Sequence, residues 1–406
     1  MEILNRLLNR VRGGMDYGCV VVGGNEDAGP GELFSTLAQE ACTEQRTLIV
    51  LDAKQNSMER NDFVNSIVPC MAAGKTGYVF SPDATGSDAF DALSACDTTI
   101  EKASLIADLL IIHSMNPEFR GDVVTYFQYV MEITGKNRLK DILSMDPRAL
   151  LAALSPSDPD AGMKQIFIDE FRTHGYRSVL SSINIFLHSP EAALMSGKLP
   201  LNKAMASGNV IVVSDVPAVT GSTVKNGLFR SVLLALLCRI NRTGLSNGVI
   251  LMRHADFIAH EDLEVLMNIA ATETTLFVWM PENPAPFVAA GGGPILGRAE
   301  FLCVFRCDRI SAETWSSMFG HSEQIKVSTT NSSPKSLLGA LNPMNYVLGG
   351  MLAKSSPLRG SRSVTRSKED QPNVPPELLS TLRYGKAWCR YPNGGFTEGK
   401  ITRGWF

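Results

Sequence analysis

The chain has 406 residues, 44% hydrophobic and 19% charged, with a formal net charge of −3; this suits a protein of two or three domains with a sizeable core. The charge excludes binding nucleic acid through overall electrostatics. With no apolar run of about 18 residues, the pattern also excludes a membrane-spanning helix. The eight cysteines include no Cys-x-x-Cys and read as reduced, buried thiols of a cytosolic protein.

Residues 1–17 read as an N-terminal amphipathic helix. Met1 to Arg12 is too interrupted for a secretory signal, but is able to lie on a membrane surface or a partner helix. Gly18 to Gly23 is a buried strand running into a Gly-rich turn, Gly24 to Gly31, and a helix from Glu32 to Gln45. Laid on the phosphate-loop pattern G-x-x-x-x-G-K-[ST], Gly24 and Gly29 fit, but Pro30 holds the lysine slot and Gly31 the hydroxyl slot. A working loop needs the lysine charge on the β- and γ-phosphates and the hydroxyl on Mg²⁺. Glu26 and Asp27 instead add negative charge where a triphosphate would sit, each repulsion costing about 1 to 4 kcal/mol at about 4 Å. A purely structural reading also stands: Asp27 caps the helix, Pro30 suits its first turn and Glu32 complements its positive end.

Thr47 to Asp52 is a second strand, ending Asp52-Ala53-Lys54 where a parallel sheet places its sites. A helix follows from Glu59 toward Ala73, with a kink at Pro69, and then a strand at Gly77 to Phe80. Gly74-Lys75-Thr76 mimics the tail of a phosphate loop, but follows a helix instead of a strand. Strand signals then stop. Ala103–Met115, Phe119–Thr134, Asn137–Leu143, Pro147–Leu154, Met163–His174 and Arg177–His188 have helical spacing, which predicts an all-α insertion over 98–195.

Alternation resumes with a strand at Asn209–Val213, the turn Thr220–Thr223, which is either a helix cap or an anion cradle, and a helix at Val224–Asn241. Strands follow at 248–252, 275–279 and 301–305, with loops at Pro281–Pro286 and Gly291–Pro294. The strand at 248–252 matters most. Phosphate-loop ATPases end it with an acidic pair that holds the metal and polarises water, whereas this chain has Arg253 and His254. His254, His260 and Glu261 match no standard metal spacing. Cys303 and Cys307, four apart in one strand-like run, read as small core residues on one face, so no metal site is expected. From Lys354 to Lys368 there are five basic residues and no acid, within a Ser/Pro-rich stretch, 354–376, that reads as a flexible basic loop.

The order of these landmarks resembles the TraG/TraD-like type IV secretion coupling proteins, RecA-like motors that form hexamers and feed DNA or protein into a secretion channel. Thr47 to Lys54 looks like that family's Asp-x-Lys strand end. Phe305 to Gly320 looks like its late strand-to-helix signature, and Val374 to Gly385 like its closing Pro-x-x-Leu element. The resemblance implies an α/β, RecA-like, mostly parallel sheet flanked by helices, formed by 18–97 and 196–406, with the all-α insertion between them. The family's N-terminal membrane anchor and both nucleotide motifs are missing, which implies no ATP or Mg²⁺ cofactor. The expected function is a non-catalytic scaffold or substrate receptor beside an active coupling ATPase in the secretion or conjugation machinery. It would be cytoplasmic, peripheral at the inner membrane through partners, and able to enter a ring oligomer. The alternatives are an active hexameric DNA or protein motor with a non-standard phosphate loop, and an inhibitory decoy. Arg306 and Arg309, after a core strand, are candidates to reach a neighbour's γ-phosphate in trans. DNA contact is expected to be weak.

Overall fold

The computed structural model describes residues 2–11, 18–53, 76–81, 87–214, 227–245, 247–255, 260–272, 274–281, 283–331 and 362–400. Lys54, the helix expected at Glu59–Ala73, Gly74-Lys75, Thr220–Thr223 and 354–361 lie outside them.

Contiguous runs of β-branched and aromatic residues form the central strands: β1 (Cys19–Gly23), β2 (Thr47–Asp52) and β3 (Gly77–Phe80). Two short strands, β4 (Phe90–Asp91) and β5 (Leu199–Pro200), pair with each other. Then come β6 (Val210–Ser214), β7 (Gly248–Arg253), β8 (Leu276–Met280) and β9 (Phe301–Phe305). The series ends with β10 (His321–Asn331), β11 (Arg362–Pro372), β12 (Lys386–Arg390) and β13 (Phe396–Lys400). The main sheet has nine strands in the order β13-β12-β9-β1-β8-β7-β2-β6-β3. From β9 to β3 every pairing is parallel, and β12 and β13 close one edge antiparallel.

Strands β1, β2, β6, β7, β8 and β9 are buried on both sides, as a parallel sheet covered by helices requires. Their residues alternate between two apolar layers. Val20, Val50 and Leu251 join the layer under the helix Pro30–Thr43, while Val21, Leu51 and Met252 join the layer under the helical region. The helix Glu2–Val11 buries Leu7 and Val11 in the first layer. Those two side chains are therefore taken up inside the molecule.

Between β4 and β5 the chain is helical. The main helices are Thr99–Ile112, Arg120–Thr134, Leu139–Leu143, Pro147–Ala153, Ala161–Glu170 and Tyr176–Leu187, followed by Pro190–Met195, which the sequence reading did not separate. The first carries a full capping box, with Thr98 Oγ1 accepting from the Glu101 amide and the Glu101 carboxylate accepting from the Thr98 amide. Arg242, on the long helix Gly227–Thr243, ties this start to the sheet domain through Glu101 and, at 2.7 Å, Asp97.

The Thr98 backbone N–H, and after it Arg242, hold the Glu101 carboxyl down from an ordinary 4.5 to about 2. A depressed folded-state pKa contributes stability that is fully present above 4.5 and lost as pH falls through about 2. The stability deficit of Glu101→Gln, read by thermal unfolding, should therefore be constant above about pH 5 and shrink steadily toward acid. A deficit that grew on acidification would contradict the capping assignment.

Two expected loops differ from the structure. Pro281–Pro286 and Gly291–Pro294 contain helical turns, Pro284–Phe287, Val288–Gly292 and Gly293–Gly297, because Pro284 and Pro294 sit where a helix start tolerates them. In the basic stretch expected to be flexible, Arg362–Pro372 is β11, which pairs residue for residue with β10 as an antiparallel ribbon.

Candidate functional site

The carboxyl ends of β1, β2 and β7 converge on the Gly-rich loop, the place where open α/β sheets bind ligands. Gly24 and Gly29 take φ of 114° and 130°, which only glycine adopts without strain. A Cβ at Gly24 would sit 2.8 Å from Phe305 Cβ and 3.0 Å from the Phe305 backbone. Gly24→Ala is therefore expected to cost about 1 to 3 kcal/mol in denaturant unfolding, from clash and backbone strain together. An unchanged midpoint would refute the close approach.

The loop between these glycines is a 3₁₀ turn, Glu26–Ala28, with the Ala28 and Gly29 amides donating to Asn25 O and Glu26 O. Late segments of the chain close over it. The Asn25 amide donates to Arg306 O at 2.8 Å, and the Gly385 amide donates to Ala28 O at 2.9 Å. The Tyr384 hydroxyl donates to Glu32 Oε2 at 2.8 Å. The Asn25, Ala28 and Gly29 amides are thus spent on the turn and its cover. The helix starts at Pro30 with Gly29 at its N-cap and no side-chain cap. Asp27 is not the cap expected from sequence; it faces Arg306 at 3.4 Å.

Behind the loop lies a buried ion network. Asp52 and Arg253 are register partners at the ends of β2 and β7, and they project to the same face of the sheet. Arg253 Nη2 donates to Asp52 Oδ2 at 2.9 Å, and Arg253 Nη1 to Glu26 Oε1 at 2.5 Å. Asp52 is 0% exposed and Arg253 1%. His254 has φ 56°, donates its amide to Met280 O at 2.9 Å and holds Nε2 3.6 Å from Glu26 Oε2. One guanidinium bonds two carboxylates here. A triphosphate entering here would have to break the guanidinium–carboxylate bonds and meet the same two acids.

Of the positions singled out by sequence, Gly24, Gly29, Pro30, Gly31, Asp52, Arg253 and His254 come together. Glu26, treated in the sequence only as a repelling charge, is the residue that joins the loop to the strand end. A cation in a metal-binding acid's place two strands away was the available signal. Arg306 and Arg309 do not reach this network: Arg306 faces Asp27, and Arg309 faces Glu313 at 3.9 Å along its own helix, Arg309–Met318. Asp308 caps that helix through the Ile310 and Ser311 amides. His260 packs its ring edge against Phe287. Among the described residues no group of three or more His, Cys, Asp or Glu side chains is arranged to hold a metal. Cys303 and Cys307 do not share a face. Cys303 lies in the layer of the helix Pro30–Thr43 and meets Cys389 across β9 and β12, whereas Cys307, beyond the end of β9, lies in the opposite layer.

No protein-family model and no curated protein sequence matches the chain. Solved structures do. The bacterial conjugative coupling protein TrwBdeltaN70, in an unbound monoclinic form, aligns with TM-score 0.57 at 11% identity, covering 97% of this chain and 88% of that one. Its trigonal form in complex with sulphate aligns with TM-score 0.54 at 10% identity over the same shares. VirB4 of Thermoanaerobacter pseudethanolicus aligns with TM-score 0.55 at 10% identity, covering 95% and 90%. The likeness is one of fold, and it makes the chain a RecA-like α/β protein over nearly its whole length. Among the described residues no helix is long and apolar enough to cross a membrane.

Proposed function

We propose that this chain is a non-hydrolysing component of a type IV secretion or conjugation coupling complex, a scaffold or substrate receptor beside an active coupling ATPase. The reading is carried by one observation: Arg253 stands where a metal-binding acid is needed and is bonded to Glu26 and Asp52. The fold shared with TrwBdeltaN70 and VirB4 supports the setting. Gly24, Gly29, Pro30, Gly31, Asp52 and Lys54 are then remnants of a nucleotide loop, and Arg253 and His254 stand in place of its acidic pair. The protein works on the cytoplasmic side of the inner membrane, held there by partners, and enters a ring beside subunits that turn over ATP.

The test is affinity purification of the full chain from its native host, followed by the turnover of any ATPase that co-purifies. A coupling ATPase among the partners supports the reading, and its absence in repeated purifications argues against it. The scaffold expects equal partner turnover with wild type, Arg306→Ala and Arg309→Ala, since both arginines have acidic neighbours of their own. An arginine acting in trans is worth roughly 10³ to 10⁵ in rate. A drop of that size in either variant would make this subunit a catalytic partner. A partner slowed by the wild-type chain would make it a decoy.

Contact with DNA is expected to be weak. Arg362, Arg366 and Lys368 are the basic residues of β11. Changing all three to Gln should flatten the slope of log affinity against log salt by up to about 3 for duplex DNA. An unchanged slope would remove the ribbon from DNA binding.

A further inference from the structure

Cys96 and Cys238 sit where the helical region leaves the sheet domain. Cys96 ends the short turn Ala92–Ala95, just ahead of the helix that Thr98 caps, and Cys238 lies on the helix Gly227–Thr243 one turn before Arg242. Both thiols line one cavity of about 400 Å³, together with Glu101, Ser104, Asp108 and Arg242. Each thiol acts on the other's ionisation. The other described cysteines lack this combination. Cys303 and Cys389 face each other at 3.8 Å but are both 0% exposed. Cys19 and Cys307 are buried, and burial pushes each thiol up to about 12. Cys96 is 6% exposed and Cys238 is half-buried.

We propose that Cys96 and Cys238 are an oxidation-sensitive dithiol, opened to small hydroperoxides by the cavity, whose disulfide ties the base of the helical region to the core helix Gly227–Thr243. Cys238 is the more exposed of the two thiols at the cavity, and Cys96 is 6% exposed; Cys238 is thus the attacking sulfur and Cys96 the resolving one. The Cys238 thiolate attacks the terminal oxygen of the hydroperoxide, the O–O bond breaks, and the leaving oxygen departs as hydroxide or alkoxide and takes up a proton. The resulting sulfenic acid is attacked by Cys96. The S–S bond forms, the S–O bond breaks, and water leaves with the Cys96 proton. Two thiols lose two electrons to one hydroperoxide, so with hydrogen peroxide the only other product is water. The acids Glu101 and Asp108 face the pair and oppose thiolate formation, while Arg242 favours it, so the reaction is slower than that of a dedicated peroxidase.

The test uses the reduced full chain, treated with hydrogen peroxide, quenched with an alkylating agent and mapped by peptide mass spectrometry. The expected result is a cross-linked peptide pair holding Cys96 and Cys238 before any other cysteine is consumed, reversed by dithiothreitol. Cys96→Ala should stop at a sulfenic acid on Cys238 that a dimedone probe traps, and Cys238→Ala should leave Cys96 a free thiol. If either variant does not fold, the wild-type map decides alone. Cys303–Cys389 linking first, or Cys96 and Cys238 both still alkylated when other thiols have reacted, would overturn the proposal.

Discussion

Arg253→Ala is expected to lower the stability of the fold by about 3 to 5 kcal/mol, because it strands buried carboxylate charge. Asp52 is 0% exposed and bonds the guanidinium directly, and Glu26 reaches the same group from the loop. Removing the cation leaves both acids without the charge that offsets their loss of solvation. Replacing the whole network is a different experiment. Glu26→Met, Asp52→Leu and Arg253→Met together exchange the ions for apolar volume, and such exchanges are often neutral or stabilising by about 1 to 4 kcal/mol. Chemical denaturation of the two variants therefore separates charge from shape. A large loss in the single variant and recovery in the triple one is the expected pattern. A small loss in the single variant would mean that water reaches the cluster and that the network does not occupy the site.

Restoring the two phosphate-loop residues is expected to leave ATP turnover at the blank rate. Pro30→Lys with Gly31→Thr rebuilds the motif in the sequence, but not in its surroundings. A Cβ at Gly31 would stand 3.2 Å from Glu26 Cγ and 3.5 Å from Glu26 Oε1. A threonine therefore presses on the side chain that holds Arg253. The new lysine would approach Arg253 from the loop side, and no acid would orient a water, since Arg253 and His254 still end β7. Working phosphate-transfer sites depend on the lysine, the metal and the water-positioning group together. Turnover in the double variant, measured with coupled phosphate release, would show that the network yields to nucleotide and would favour the motor reading.

Much of the sheet was legible because its strands are short apolar runs bounded by Gly, Asp and Arg. Thr47–Asp52, Gly77–Phe80 and Phe301–Phe305 match residue for residue, and the other expected strands shift by a residue. Most helices between β4 and β5 were legible through their Pro and Asp starts, such as Asp146-Pro147. The β10–β11 ribbon was not, because RSVTRSKEDQP in β11 has no apolar alternation. The degraded motif at 30–31 and 253–254 could be seen in the sequence, but its replacement could not. Arg253 joins Asp52 across 201 residues of chain and Glu26 across 227. Periodicity and local spacing carry no information about such contacts. Charge exchange does: an arginine where an acid is expected, opposite an acid where none is wanted, is a pair in waiting.

Calorimetric titration of the full chain with Mg·ATP bears most directly on the claim that an internal ion network fills the nucleotide position. No saturable binding up to about millimolar nucleotide, the weak limit near −4 kcal/mol, is the expected result for wild type. A micromolar dissociation constant, with turnover that Asp52→Asn abolishes, would contradict it.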